Sequence, residues 1–304
     1  MELSQFSGAD PIVTAQNEMV SDKPASAYLA PQGKSARLRL SFRWADLFDA
    51  PLHDFPLRDE ILFQFAPLAQ DMDILEIGPG SGNTAFRLKN HASTLTLADA
   101  APELLSTLRE QLGRYNNIHF VCVNLSKPNM TECPETAFDL IYGLDVFEYI
   151  SNPGVCLQTM ARALRPGGCL FLTFPNTPPP KGDGVTWFTH RAELEALLHE
   201  SGFQGWEIFG VHPRPVPAAL YNILHEMPLR LYRRSRRRNG RNRPQTYEET
   251  WAFQNREQFV RFKPVLHFFW FLLGEMMRVG GDIFAAKRPA DLILGTQLVV
   301  RAWR

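Results

Sequence analysis

The sequence predicts a doubly wound α/β fold built on a seven-stranded, mostly parallel sheet. Two observations predict it. Apolar runs of strand length alternate with segments of helical periodicity, and the first strand ends in a glycine-rich turn that opens into helix-compatible sequence. On sheets of this kind, ligands bind outside the carboxyl ends of the strands. The functional residues should therefore lie in the loops that follow strands.

The elements can be assigned in chain order. A helix is predicted after Pro56, because Leu57 to Ala66 carries helical periodicity behind a proline. Apolar runs bounded by turn-forming residues then predict strands at 73–77, 94–98, 118–123, 138–142, 168–174, 205–210 and 296–303. Amphipathic segments between them predict helices near 83–90, 102–113, 153–164 and 191–201.

The chain divides into three parts by composition. Residues 1–36 are rich in Ser, Ala, Pro and Gln without apolar periodicity, which predicts a loosely ordered tail. Residues 37–213 and 291–304 carry the predicted sheet. About 80 residues separate the last two strands, where a short hairpin would suffice, so 214–290 is predicted to be an insertion.

Charge and cysteine content narrow the class of protein. The 32 basic and 32 acidic residues balance, so the chain has no net positive charge that would favour binding to nucleic acid, and a nucleic-acid partner is not expected. The four cysteines show no CxxC spacing, and no metal site is predicted. The first residues lack a basic stretch followed by an apolar run, so a cytoplasmic protein is expected.

The turn after the first strand has the chemistry of a nucleotide site. Gly78, Gly80 and Gly82 stand at alternate positions, where missing side chains let the backbone approach a ligand and the next helix offers free N–H groups. Asp99 ends the second strand, where a carboxylate can accept both ribose hydroxyls of a nucleotide. Asn124, after the third strand, can accept from an adenine amino group, and the backbone of Leu125 can serve a ring nitrogen.

An ordered set of five segments resembles class I S-adenosylmethionine (SAM)-dependent methyltransferases, especially the group related to quinone and small-molecule methyltransferases. The segments are LEIGPGSG, LADA, VNLS, FDLIYGLDVFEYI and LRPGGCLFLTFPN, and the resemblance covers about residues 57–213 and the last strand. It implies SAM as the cofactor. It also implies that the cofactor is lined by Glu76, Gly78, Gly80, Gly82, Asp99, Ala100, Asn124 and Leu125. For Glu76, an equal alternative is a structural acid paired to backbone donors.

Methyl transfer is an in-line displacement that depends mainly on positioning, so a dedicated base is needed only if the acceptor must lose a proton. His190, just before the predicted helix at 191–201, is the first candidate base, with a capping or packing role as the alternative. His212 is the second candidate. Tyr149, in the loop after the fourth strand, is predicted to orient an acceptor oxygen, although aromatic side chains there also commonly pack in cores.

The insertion combines basic and apolar sequence. Eight arginines lie between Arg230 and Arg243, with no acid between Met227 and Tyr247, and an apolar, aromatic stretch follows from Val265 to Leu273. That stretch is too short to span a bilayer. Three interpretations stay open: a solvated basic loop beside a buried helix, a surface that docks on anionic lipid at the inner face of the membrane, and a lid over a lipophilic acceptor.

Together these features predict a SAM-dependent methyltransferase that acts on oxygen or carbon of a small lipophilic acceptor. No DPPY-type or NPPY-type motif, typical of amine methylation, follows the fourth strand. The alternative enzymes are prenyl-diphosphate and phospholipid-headgroup methyltransferases. The alternative from another class is a SAM-binding accessory protein without turnover.

Overall fold

A computed structural model describes residues 57–125, 135–176, 191–223, 227, 283–287 and 297–304. The tail at 1–36, His190 and most of the predicted insertion, including the eight arginines from Arg230 to Arg243, lie outside the described residues. The helices are α1 (Leu57–Phe65), α2 (Asn83–Leu88), α3 (Pro102–Leu112), α4 (Pro153–Ala163), α5 (Arg191–Glu200) and α6 (Pro215–Tyr221). The strands are β1 (Met72–Ile77), β2 (Ala92–Asp99), β3 (Ile118–Cys122), β4 (Phe138–Leu144), β5 (Leu164–Pro175), β6 (Gly205–Pro213), β7 (Phe284–Ala286) and β8 (Gln297–Trp303).

The predicted doubly wound fold is confirmed. The strands form one sheet in the order β3-β2-β1-β4-β5-β8-β6-β7, and β1 to β5 pair in parallel. The order reverses direction between β1 and β4, which is the switch point where ligands bind on such sheets. Two hydrophobic clusters cover the two faces. The first includes residues of α1, α2 and α3, and the second includes residues of α4 and α5.

The predicted count of seven strands is wrong, because the described residues form eight. The additional strand, β7, is only three residues long and pairs antiparallel with β6. Strand β8 is also antiparallel to both of its neighbours. A strand of three residues lacks the alternation by which strands are predicted, and its partners here are β6 and Gln64 of α1. The Gln64 amide donates to Phe284 O (2.9 Å) and accepts from Phe284 N (3.1 Å).

The amino-terminal edge of the sheet is closed by an ion-pair network. Arg165 in β5 donates to Asp73 in β1 (2.7 Å) and to Asp139 in β4 (2.8 Å). The hydrogen bond from Thr94 lowers the pKa of Asp73, and Arg165 lowers it further. These charges satisfy one another, so this edge needs no ligand. The opposite edge, where the strands end in loops, holds the candidate site.

Candidate cofactor and acceptor site

The three glycines after β1 share a left-handed backbone but differ in what surrounds them. Their φ angles are +63° at Gly78, +53° at Gly80 and +78° at Gly82, a region that side-chain-bearing residues rarely occupy. A β-carbon at Gly78 would lie 2.4 Å from Val146 Cγ2, and one at Gly82 would lie 2.7 Å from Leu108 Cδ2. Packing within the protein therefore explains why both positions lack a side chain.

Gly80 is different, because open space faces it. A β-carbon built there meets no protein atom within 4 Å. Gly80 is also exposed, at the tip of the loop between β1 and α2. Gly82, two residues later, directly precedes α2, and no side chain caps the first turn of this helix. The loop thus offers bare backbone to a ligand at Gly80, while Gly78 packs against the loop after β4 and Gly82 packs against α3.

Glu76 lies beneath this loop and is buried, with 4% of its surface exposed. Its register partner on β4 is Tyr142, which is fully buried. Burial raises the pKa of Glu76 to about 8; the Tyr142 hydroxyl acts in the opposite direction, and the charge of Asp59 adds to the increase. Although Tyr142 is near enough to affect this pKa, the two groups do not reach hydrogen-bonding geometry. Glu76 Oε2 and the Tyr142 hydroxyl are both buried, and neither has a hydrogen-bond partner within the described part of the chain.

Asp59 lies next to the candidate site, and the sequence alone did not single it out. It lies on α1, is 7% exposed, and accepts from Asn83 Nδ2 (2.6 Å) at the start of α2. Its negative charge raises the pKa of Glu76, so the two carboxyl groups are close enough to interact. The signal in the sequence was weak, because an acid in the first turn of a helix is common on purely structural grounds.

The predicted ribose and adenine residues follow the adjacent strands β2 and β3. Asp99 Oδ1 accepts from Ala101 N (2.8 Å), which fixes the direction of the carboxylate, and Asp99 is half-buried. Ala100 and Asn124 are exposed, whereas Leu125 is buried. Since Asp99 pairs in register with Cys122, these residues lie at the same sheet edge as the glycine loop.

The loop after β4 links the glycine loop to the neighbouring strands. Val146 packs against Gly78, and Asp145 adopts a left-handed backbone with φ +53°. The Asp145 carboxylate accepts from Thr173 Oγ1 (3.1 Å) on β5 and from Gln297 Nε2 (3.3 Å) on β8. This loop was predicted from the sequence, but the contact between Asp145 and Gln297 was not, because the two residues are 152 positions apart.

Of the candidate catalytic residues, two fall within the described part of the chain. Tyr149 ends a short 3₁₀-helix (Phe147–Tyr149) and is 67% exposed, so its hydroxyl is open to an acceptor. His212 lies on β6, and its Nδ1 is buried without a hydrogen-bond partner. The structure therefore brings Tyr149 and His212 to the carboxyl-end edge of the sheet without placing them in contact with each other.

These residues fit the groups of SAM. Gly80 leaves room for a ligand against backbone, and Asp99 presents a carboxylate of the kind that binds ribose hydroxyls. Glu76 holds a buried oxygen with no donor, which the ammonium of a methionine moiety would satisfy.

Among the described residues, no helix is long and apolar enough to cross a membrane.

Comparisons with known proteins identify methyltransferases that are similar to this chain in sequence. Residues 75–170 match the family model described as a methyltransferase domain. The chain is 29% identical over 143 residues to the tRNA 5-carboxymethoxyuridine methyltransferase of Escherichia coli, covering 46% of this chain and 49% of that protein. It is 27% identical over 199 residues to the ubiquinone biosynthesis O-methyltransferase of Nitrosococcus oceani, covering 59% of this chain and 84% of that protein.

The chain thus spans about half the length of the first of these relatives. Among solved structures, the phosphoethanolamine N-methyltransferase 2 of Haemonchus contortus is similar over 88% of this chain and 58% of that chain, with 14% identity and a TM-score of 0.48, which is too low to support a conclusion. The match over residues 75–170 and the doubly wound sheet identify a methyltransferase domain of the class I SAM-dependent type in this chain, with S-adenosylmethionine as its cofactor.

Proposed function

We propose that this protein transfers the methyl group of SAM to oxygen or carbon of a small lipophilic acceptor. The observation that carries the proposal is the similarity to a ubiquinone biosynthesis O-methyltransferase, which extends over 84% of that relative. The similarity to a tRNA methyltransferase covers only 49% of its relative, and the balanced charge of this chain does not favour a polyanion.

The cofactor supplies an activated methyl group on a sulfonium, so the protein has to align the acceptor with it. We assign cofactor binding to the open backbone at Gly80, to Asp99 for the ribose, and to Glu76 for the methionine ammonium. Ala100, Asn124 and Leu125 would surround the adenine. Val146 packs against Gly78 and so holds the loop after β4 next to the glycine loop.

On the acceptor side, we assign an orienting role to Tyr149, whose side chain is 67% exposed beside the strand ends. His190 remains the first candidate for a general base, and His212 the second. If His190 removes a proton from the acceptor, His190→Ala lowers kcat and leaves the affinity for SAM unchanged. Normal turnover of His190→Ala across the pH range would assign the residue a structural role.

Membrane association is a second part of the proposal, and two features favour it. Val216, Ile223 and Met227 are 70%, 59% and 57% exposed at the start of the predicted insertion. Eight arginines follow between Arg230 and Arg243 in the sequence. Apolar anchors next to basic residues are typical of surfaces that dock on anionic lipid, from which a lipophilic acceptor could be drawn.

The decisive experiment incubates the protein with SAM carrying a radiolabelled methyl group and separates the products by class. The parallel reactions contain a total lipid extract, total tRNA, or a mixture of small phenols. We expect the label in the lipid or phenol fraction and expect Gly80→Val to abolish it. Label in tRNA alone would contradict the proposed acceptor, and no label in any fraction would favour the accessory-protein alternative.

A further inference from the structure

The carboxyl-end edge of the sheet, where β5 ends and β8 begins, carries buried polar atoms without partners among the described residues. Gln297 Oε1 and Asn176 Nδ2 are both buried, and neither has a hydrogen-bond partner among the residues that the structure describes. Buried polar groups in native proteins are nearly always paired, so each exception requires an explanation. The two residues are neighbours across strands, since Asn176 directly follows Pro175, the register partner of Gln297.

The orientation of the Gln297 amide is determined by Asp145. A carboxylate only accepts hydrogen bonds, so the end of the amide that faces Asp145 must be the NH₂ group. The observed contact, Gln297 Nε2 to Asp145 Oδ2 at 3.3 Å, has this orientation. The Gln297 carbonyl oxygen therefore points away from Asp145 as an acceptor that still requires a donor.

Asp145 is itself held in an unfavourable backbone conformation. Its φ of +53° is unusual for a residue with a side chain, although Asp and Asn tolerate it best. Asp145 N donates to Thr173 O (2.9 Å), and the buried Thr173 hydroxyl donates to the Asp145 carboxylate. This arrangement fixes the Asp145 carboxylate between the glycine loop and Gln297, the first residue of β8.

A hydroxyl group both donates and accepts, so it can satisfy an amide oxygen and an amide N–H together. We propose that Gln297 and Asn176 bind a hydroxyl group of the methyl acceptor, with Gln297 Oε1 accepting from it, and that Asp145 is the positioning residue for Gln297. The inference rests on the proposed function and narrows the acceptor to hydroxylated compounds. Gln297 lies two strands from β4, on the order of 10 Å, which is within the span of a small acceptor held next to the cofactor.

The test measures binding rather than turnover, in the presence of S-adenosylhomocysteine. The probes are 4-butylphenol and 1-butyl-4-fluorobenzene, which have similar shapes but differ in the hydroxyl donor. Wild-type protein is expected to prefer the phenol, and Gln297→Leu to reduce the affinity ratio about tenfold, the effect of one buried hydrogen bond. Gln111→Leu is the matched control, because Gln111 on α3 also has a buried, unpartnered Oε1 but lies away from this edge.

Asp145→Asn provides a second variant that keeps the left-handed backbone accessible. An asparagine can face either end of the Gln297 amide, so the preference for the phenol should fall while the affinity for S-adenosylhomocysteine stays the same. Wild-type protein that binds neither probe, or a ratio equal in wild type and Gln297→Leu, would overturn the proposal. A Gln297-dependent preference without labelled transfer to any acceptor would contradict the proposed function and leave the hydroxyl site standing.

Discussion

We predict that the burial of Glu76 makes the affinity for SAM depend on pH. The pKa of this carboxyl group is about 8, so at pH 7 only about a tenth of the protein carries it ionised. If the ammonium of SAM binds the ionised form, the apparent affinity is reduced about tenfold at pH 7 and about a hundredfold at pH 6. Affinity should therefore rise about tenfold, or ~1.4 kcal/mol, between pH 6 and pH 7, and binding should release nearly one proton.

Glu76→Gln tests this prediction because it keeps the shape of the side chain and removes its titration. Isothermal calorimetry at pH 6 and 7, in buffers of different ionisation enthalpy, reports both the affinity and the proton release. Over this range the α-amino group of SAM stays largely protonated. Glu110→Gln, an exposed acid on α3, is the matched control and should retain the wild-type slope. A flat wild-type profile, or an equal slope in Glu76→Gln, would refute the role of Glu76.

The same carboxyl group affects folding without SAM. Its pKa is raised on folding from an ordinary value of 4.5, so between pH 4.5 and 8 the folded state holds a proton that the unfolded state has lost. The free energy of unfolding therefore falls as pH rises through this window, by ~5 kcal/mol at most. Urea denaturation of Glu76→Gln at pH 5 and pH 8 should show a smaller fall. Identical pH dependence in the two proteins would show that Glu76 ionises as readily in the folded state as in the unfolded state.

Three further predictions concern the candidate cofactor site and membrane association. Asp99→Ala should weaken SAM binding at least tenfold in calorimetry, because two charge-assisted hydrogen bonds to the ribose are lost, each of them contributing ~1.5–3 kcal/mol; unchanged affinity would remove Asp99 from the site. Gly80→Ala should weaken SAM binding. Gly167, at the other sheet edge, has the same open surroundings and a positive φ, so the control Gly167→Ala should lower only stability. Equal SAM affinities in the two variants would show that Gly80 is only a turn residue. Wild-type protein should co-sediment with anionic but much less with zwitterionic liposomes at low salt, and equal sedimentation would contradict an electrostatic contribution; binding should be lost on neutralising Arg233, Arg234, Arg236, Arg237 and Arg238.

Local sequence patterns were sufficient to predict the doubly wound fold and the elements that build it. Strands β1 to β6 and β8, and helices α1 to α5, lie where apolar periodicity predicts them, with ends that differ by a few residues. The carboxyl-end edge was also predictable, because a strand followed by a glycine turn and a helix locates a ligand site without knowledge of the strand order. The short β7 was not, because its partners are Gln64 and β6, both distant in sequence.

The sequence by itself determined the family, the position of the glycine loop and the candidate cofactor residues, because these depend on residues a few positions apart. Only the tertiary structure separated Gly80, which faces open space, from Gly78 and Gly82, which pack against Val146 and Leu108. Only the tertiary structure brought Gln297 to Asp145 and buried Glu76 against Tyr142. Such contacts join residues that are close together in the sheet and far apart in the chain, so their hydrogen bonds and pKa shifts come from packing, which no local pattern encodes.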